Sequence, residues 1–104
     1  MPDRDEPVRR DARARRERDQ IHESVVSVIR GARQDKDISQ KKLAGMMGWA
    51  SKSVIVNLEN LRREFGVADF ILLAEKLEMD PQDLFASVIF HMRQRRRGRN
   101  VGSK

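Results

Sequence analysis

Five side chains between Lys52 and Asn60 carry the densest chemistry in this chain: Lys52, Ser53, Val56, Asn57 and Asn60. Positions three and four apart share one face of a helix, so these five fall together if the segment is helical. They offer a cation, a hydroxyl, branched methyl groups and two amides, with no carboxylate among them. Cations meet phosphates, amides and hydroxyls pair with base edges, and methyl groups pack on thymine, so the set suits nucleic-acid contact. Catalysis is not expected. The chain has no Cys and no Tyr, and its two histidines, His22 and His91, have no ligand-spaced neighbours. No Gly-rich phosphate loop or triad is present, and neither a cofactor nor a metal is expected.

The element that must position these residues runs from Ile38 to Arg63, ISQKKLAGMMGWASKSVIVNLENLRR. Ser39 is a candidate N-cap, with a hydroxyl able to accept a backbone N–H two or three residues on. Leu43, Ala44 and Met47 recur at helical spacing, and Gly48 supplies the left-handed residue that closes a helix. Ser51 is the cap expected to open the next helix, where Ile55 and Leu58 form the buried stripe. Ala44 is small where that second helix must cross closely. Two short helices joined by a tight turn make a helix-turn-helix.

Around it the pattern is all-α. A first helix is expected over about Asp19 to Arg33, with Ile21, Val25, Val28, Ile29 and Ala32 facing the core. Asp35, Lys36 and Asp37 form the loop into the motif. After Glu64 to Gly66, a fourth helix over about Val67 to Leu77 turns Phe70, Ile71, Leu73, Ala74 and Leu77 inward, with Met79 at the corner. Asp80-Pro81 reads as a helix start, with Asp83 in the first turn near the positive end of the dipole. The fifth helix carries Leu84, Phe85, Val88, Ile89 and Met92 on one side, and Phe90 falls off that stripe as a candidate dimer contact.

At 104 residues the chain suits one domain with a modest core. Mean hydropathy is -0.70, and no apolar run approaches the ~18 residues of a membrane span. The charged, apolar-poor N-terminus is not expected to be a secretory signal, and the absence of Cys fits an intracellular protein. The net charge of +6 is unevenly placed. Residues 21–90 balance to −1, residues 1–20 to +1, and the last fourteen hold six basic groups and no acid. Between Ile38 and Arg63, Lys41, Lys42, Lys52, Arg62 and Arg63 stand against Glu59 alone, so the positive face falls on the helix-turn-helix. Residues 1–18 are expected as a charged N-terminal arm, disordered or a frayed helix, and 93–104 as a basic disordered C-terminal tail. Either a solvated end or a nonspecific phosphate contact fits the tail.

With these residues in place, the chain resembles the Xre-type, lambda-repressor-like helix-turn-helix DNA-binding family over about Val25 to Phe85. The resemblance rests on ISQKKLAGMMG, SKSVIVNLEN and LLAEKLEMDPQDLF in that order. It implies a compact five-helix bundle that binds double-stranded DNA, commonly as a homodimer, with the third helix in the major groove. It implies base reading by Lys52, Ser53, Val56 and Asn57, and backbone contacts by Gln40, Ser51, Asn60, Arg62 and Arg63. Gln40 would touch phosphate and brace the first reading side chain. A cytoplasmic, nucleoid-associated protein of bacterial or phage type follows from the same resemblance.

Two features depart from the family pattern. The turn from Gly48 to Ser51 is one residue longer, which buries Ile55 and Leu58; without the insertion Val54 and Asn57 would be buried, and a buried Asn needs partners. Leu61 stands where the family usually has glycine, and because leucine is unfavourable in the left-handed region, the third helix is expected to run on or end differently. Trp49 is expected as a core plug rather than a stacking platform. The leading functional expectation is a sequence-specific transcriptional regulator, most simply a repressor. The alternatives are an antitoxin or adaptor that docks a partner protein such as a toxin, and a controller protein of a restriction system.

Overall fold

Helices form where apolar residues recur every three to four positions, and they stop where a residue enters the left-handed region. In the computed structural model, which describes the backbone of residues 6–102 and the side chains of 12–98, these rules yield five helices. They are α1 (Glu6–Asp35), α2 (Gln40–Met46), α3 (Ser53–Glu59), α4 (Val67–Lys76) and α5 (Pro81–Gly102). The all-α, five-helix class expected from the sequence is the one observed. The core draws on every helix: Ile29 from α1, Leu43 and Ala44 from α2, Ile55 from α3, Leu73 and Ala74 from α4, Leu77 just after it, and Leu84 from α5. Trp49 packs against this cluster from the turn between α2 and α3, as a core plug should.

Two of the three local start signals act as the sequence suggests. Ser39 Oγ accepts the Lys42 N–H at 3.0 Å, and Asp80 Oδ1 accepts the Gln82 N–H at 2.7 Å. Ser51 Oγ accepts the Ser53 N–H at 3.3 Å. Ser51 is nevertheless not the cap of α3: the N-cap is Lys52, which has helical dihedrals and makes no side-chain cap bond, and Ser51 closes the turn just before it. Ile55 and Leu58 are buried while Val54 and Asn57 are half-exposed, as the one-residue insertion requires.

Each of the first four helices ends in the same way. The residue after the C-cap has positive φ at Asp37 (57°), Gly48 (76°), Leu61 (63°) and Glu78 (57°). Around α3 the Arg62 N–H reaches the Asn57 carbonyl at 2.8 Å and the Leu61 N–H reaches Leu58 at 3.2 Å, the paired bonds of a Schellman ending. Leu61 therefore does occupy the glycine-type position, and α3 neither runs on nor ends differently. Satisfying two orphan carbonyls and starting the chain toward Phe65 outweighs a conformational cost of about 1–2 kcal/mol.

The apolar stripes differ in detail from the periodicity. Val26, between the expected positions, is buried, whereas Ile21, Ile71 and Phe85 stay largely exposed. A five-helix bundle this small offers each helix only one neighbour-facing strip, so the edges of a broad stripe remain in water.

The largest difference lies at the ends. α1 begins at Glu6 rather than near Asp19, and α5 continues to Gly102 through the segment read as a disordered tail. Residues 1–5 of the arm and 103–104 of the tail lie outside the described residues. Ala, Arg, Glu and Gln dominate 12–20 and are good helix formers, and the two helices support each other. Arg95 Nη2 donates to Glu23 Oε2 at 2.8 Å, and His91 Nδ1 lies 3.1 Å from Ser24 Oγ. A chain of this length would give a radius of gyration near ~13 Å if spherical. The observed 16.3 Å, with extents of 49 × 36 × 21 Å, reflects these long helices leaving a compact bundle.

Candidate nucleic-acid interface

α3 is short, and two things fix its attitude: the Ile55–Leu58 stripe and a polar clamp on its last residue. Glu59 is only 6% exposed, and so is almost fully removed from water. Its carboxylate accepts from Arg33 Nε at 2.9 Å, Arg33 Nη2 at 3.1 Å, Gln40 Nε2 at 3.0 Å and Arg30 Nε at 3.5 Å. The Glu59 backbone carbonyl accepts from Arg30 Nη2 at 2.7 Å. Arg33 also donates to the Ile38 carbonyl at 2.8 Å, tying in the loop before α2. A carboxylate at a helix C-terminus meets the negative end of the dipole. The bidentate guanidinium and the extra donors offset that and satisfy the buried oxygens.

This clamp joins α1, α2 and α3, and sequence reasoning did not find it. A signal was present: Arg33 lies one turn after the buried Ile29, and Glu59 follows the buried Ile55 by one turn. Each is a charged residue on an apolar stripe, and only its counterpart on another helix makes sense of it.

Turning Glu59 inward has an electrostatic consequence for the surface. It is the sole acid between Ile38 and Arg63, so the outer face of the motif keeps its cations and loses its one carboxylate. Lys41, Lys42, Lys52, Arg62 and Arg63 are all exposed there. Of the residues expected to read bases, Lys52 and Ser53 are exposed at the start of α3, and Val56 and Asn57 are half-buried one turn on. Ser53 Oγ lies 2.6 Å from Ser51 Oγ, so the two hydroxyls form one polar pair at the mouth of the helix. Asn60, Arg62 and Arg63, expected on the backbone, lie exposed at the far end. Gln40 is half-buried, and its amide nitrogen is directed to Glu59, at the junction of the α2 start and the clamp.

A family model described as Helix-turn-helix matches residues 29–84, more than half of the chain. The chain belongs to the Xre-type, lambda-repressor-like helix-turn-helix DNA-binding family. Membership makes it a DNA-binding protein of the transcription-regulator class. Among solved structures, the chain is similar to the clp gene regulator ClgR from Corynebacterium glutamicum, with a TM-score of 0.72 and 18% identity. The match covers 80% of this chain and 87% of that one. At that identity the likeness is one of fold. No curated protein sequence matches the chain. None of the described helices is long and apolar enough to cross a membrane.

Proposed function

We infer that this helix-turn-helix protein is a sequence-specific transcriptional repressor that inserts α3 into the major groove of an operator. The observation that carries this reading is the clamp on Glu59: it leaves α3 rigidly seated and its outward face cationic, amide-bearing and free of carboxylate. Lys52 and Ser53 enter first, as the N-terminal residues of a recognition helix do, with Val56 and Asn57 a turn deeper. The branched methyls of Val56 suit a thymine methyl, and the Asn57 amide suits an adenine edge or a phosphate. Gln40, Ser51, Asn60, Arg62 and Arg63 hold the flanking backbone, which sets register without reading sequence.

The active form in this reading is a homodimer, supported by Phe90, which stands 64% exposed on α5 where burial would remove a large apolar surface from water. Two copies would read half-sites about 34 Å apart, one turn of the duplex. Occupying an operator that overlaps a promoter excludes polymerase, the simplest route to repression.

Selection from a random duplex pool, followed by sequencing at two salt concentrations, tests the reading. An enriched, roughly palindromic motif is the expected outcome. Binding without enrichment, together with a steep loss of affinity in salt, would reduce the motif to a phosphate grip. The scaffold would then be read as docking a protein partner, such as a toxin.

A further inference from the structure

The N-terminal part of α1 and the C-terminal part of α5 do not belong to the helix-turn-helix; the α1 part is modestly basic and the α5 part strongly so. Residues 12–20 carry four arginines against two carboxylates, and 91–99 carry five against none. They are held side by side by Glu23–Arg95 and Ser24–His91. Further out, Gln20 and Ile21 of α1 face one cleft with Met92, Arg95 and Arg96 of α5. As α5 advances, its partners on α1 retreat toward the N-terminus, so the two helices run antiparallel and extend together as a basic arm.

The arm is continuous with the phosphate-contacting end of the motif. Arg30 and Arg33 of α1 bind Glu59, and nearer the N-terminus His22 packs edge-on against Phe65, ring centroids 6.0 Å apart. Arg18, His22 and Val25 line a cleft with Glu64 and Phe65, the residues directly after Arg62 and Arg63. The chain from the end of α3 thus follows α1 toward the arm, and Arg15 and Arg18 carry the same helix face one turn further. On α5, Arg93, Arg96 and Arg97 are exposed and line one cleft with Phe90.

We propose that this two-helix arm is a second DNA contact, gripping backbone phosphates that flank the half-site read by α3. The proposal rests on the operator reading above and adds to it a longer footprint. An arginine cluster without hydrogen-bonding amides or a shaped pocket carries no sequence information, so the arm adds affinity and salt dependence, not specificity.

The test uses the full chain, the duplex enriched from a random pool, and versions of that duplex trimmed at both flanks. The Arg93→Gln, Arg96→Gln, Arg97→Gln variant is first checked by sedimentation to be still dimeric, because these residues line one cleft with Phe90. Its slope of log affinity against log salt should fall by about 5.4, at ~0.9 for each of the six phosphates per dimer no longer neutralised. Over a fourfold rise in salt that is a loss of affinity smaller by roughly three orders of magnitude. The preferred motif should not change. Trimming the flanks should weaken wild type at least tenfold and weaken the variant clearly less, a difference that loss of helix stability would not produce. Arg15→Gln with Arg18→Gln should move both readouts the same way. Wild-type binding that ignores the flanks, or a triple variant with the wild-type slope, overturns the arm and leaves the operator reading standing. A wild-type chain that binds no duplex overturns both.

Discussion

Replacing Glu59 by Gln tests whether the clamp, rather than local helix propensity, seats α3. The change keeps shape and volume but puts an amide where Arg33 and Gln40 both donate. One carboxylate oxygen becomes a donor facing donors, and the Arg33 guanidinium, only 8% exposed, loses its counter-charge. Removing one partner of such a buried pair costs on the order of 3–5 kcal/mol. A domain of this size has only about 5–15 kcal/mol in total, so a melting temperature lower by roughly 15–20 °C is expected. Arg30 is different: its side chain is 41% exposed and its carboxylate contact is long, at 3.5 Å. Arg30→Ala should therefore cost about 1 kcal/mol, most of it from the bond to the Glu59 carbonyl. Glu59→Leu combined with Arg33→Met removes both charges together and should recover most of the loss. Urea denaturation of wild type and these three variants, with DNA affinity measured on each that folds, gives the comparison. If Glu59→Gln costs under 1 kcal/mol, or if the double variant is no better than the single one, the clamp does not hold α3 and the reasoning fails.

Other expectations follow from the same geometry. Leu61→Gly relieves a leucine at φ 63°; after the entropy that glycine adds to the unfolded chain, a gain of a few tenths to about 1 kcal/mol is expected. A calorimetric melting temperature that falls instead would mean that leucine packing outweighs the strain. Lys52→Ala should relax base preference at one or two positions, whereas Arg63→Ala should weaken binding to all duplexes alike; uniform loss in both would erase the division between readers and backbone contacts. Phe90→Ser should shift the protein toward monomer in sedimentation equilibrium without lowering helicity, and an unchanged mass would place the dimer contact elsewhere.

Much of the fold was legible because its signals are local. Ser39, Ser51 and Asp80 bond to backbone two or three residues away, and such bonds depend on little beyond the neighbouring sequence. The extra residue before α3 was legible for a similar reason: only that frame buries Ile55 and Leu58 and spares Asn57. The set of side chains proposed to meet DNA follows from the same helical phase.

What the tertiary structure decided depends on residues far apart in the chain. Glu59 meets Arg33 across 26 positions and Gln40 across 19, and no periodicity links one buried charge to the helix that neutralises it. Leu61 enters the left-handed region because the Schellman bonds and the packing beyond it outweigh an intrinsic preference that, taken alone, argued the other way. The reach of α1 and α5 has the same origin. Each is a highly charged segment that composition reads as an end, and each lies helical beside the other through contacts such as Glu23–Arg95, 72 positions apart. Local chemistry determined where α2 and α5 begin and which face of α3 looks outward. Long-range pairing, whose free energy exists only once the chain is folded, determined how firmly that face is held and how far the basic helices extend.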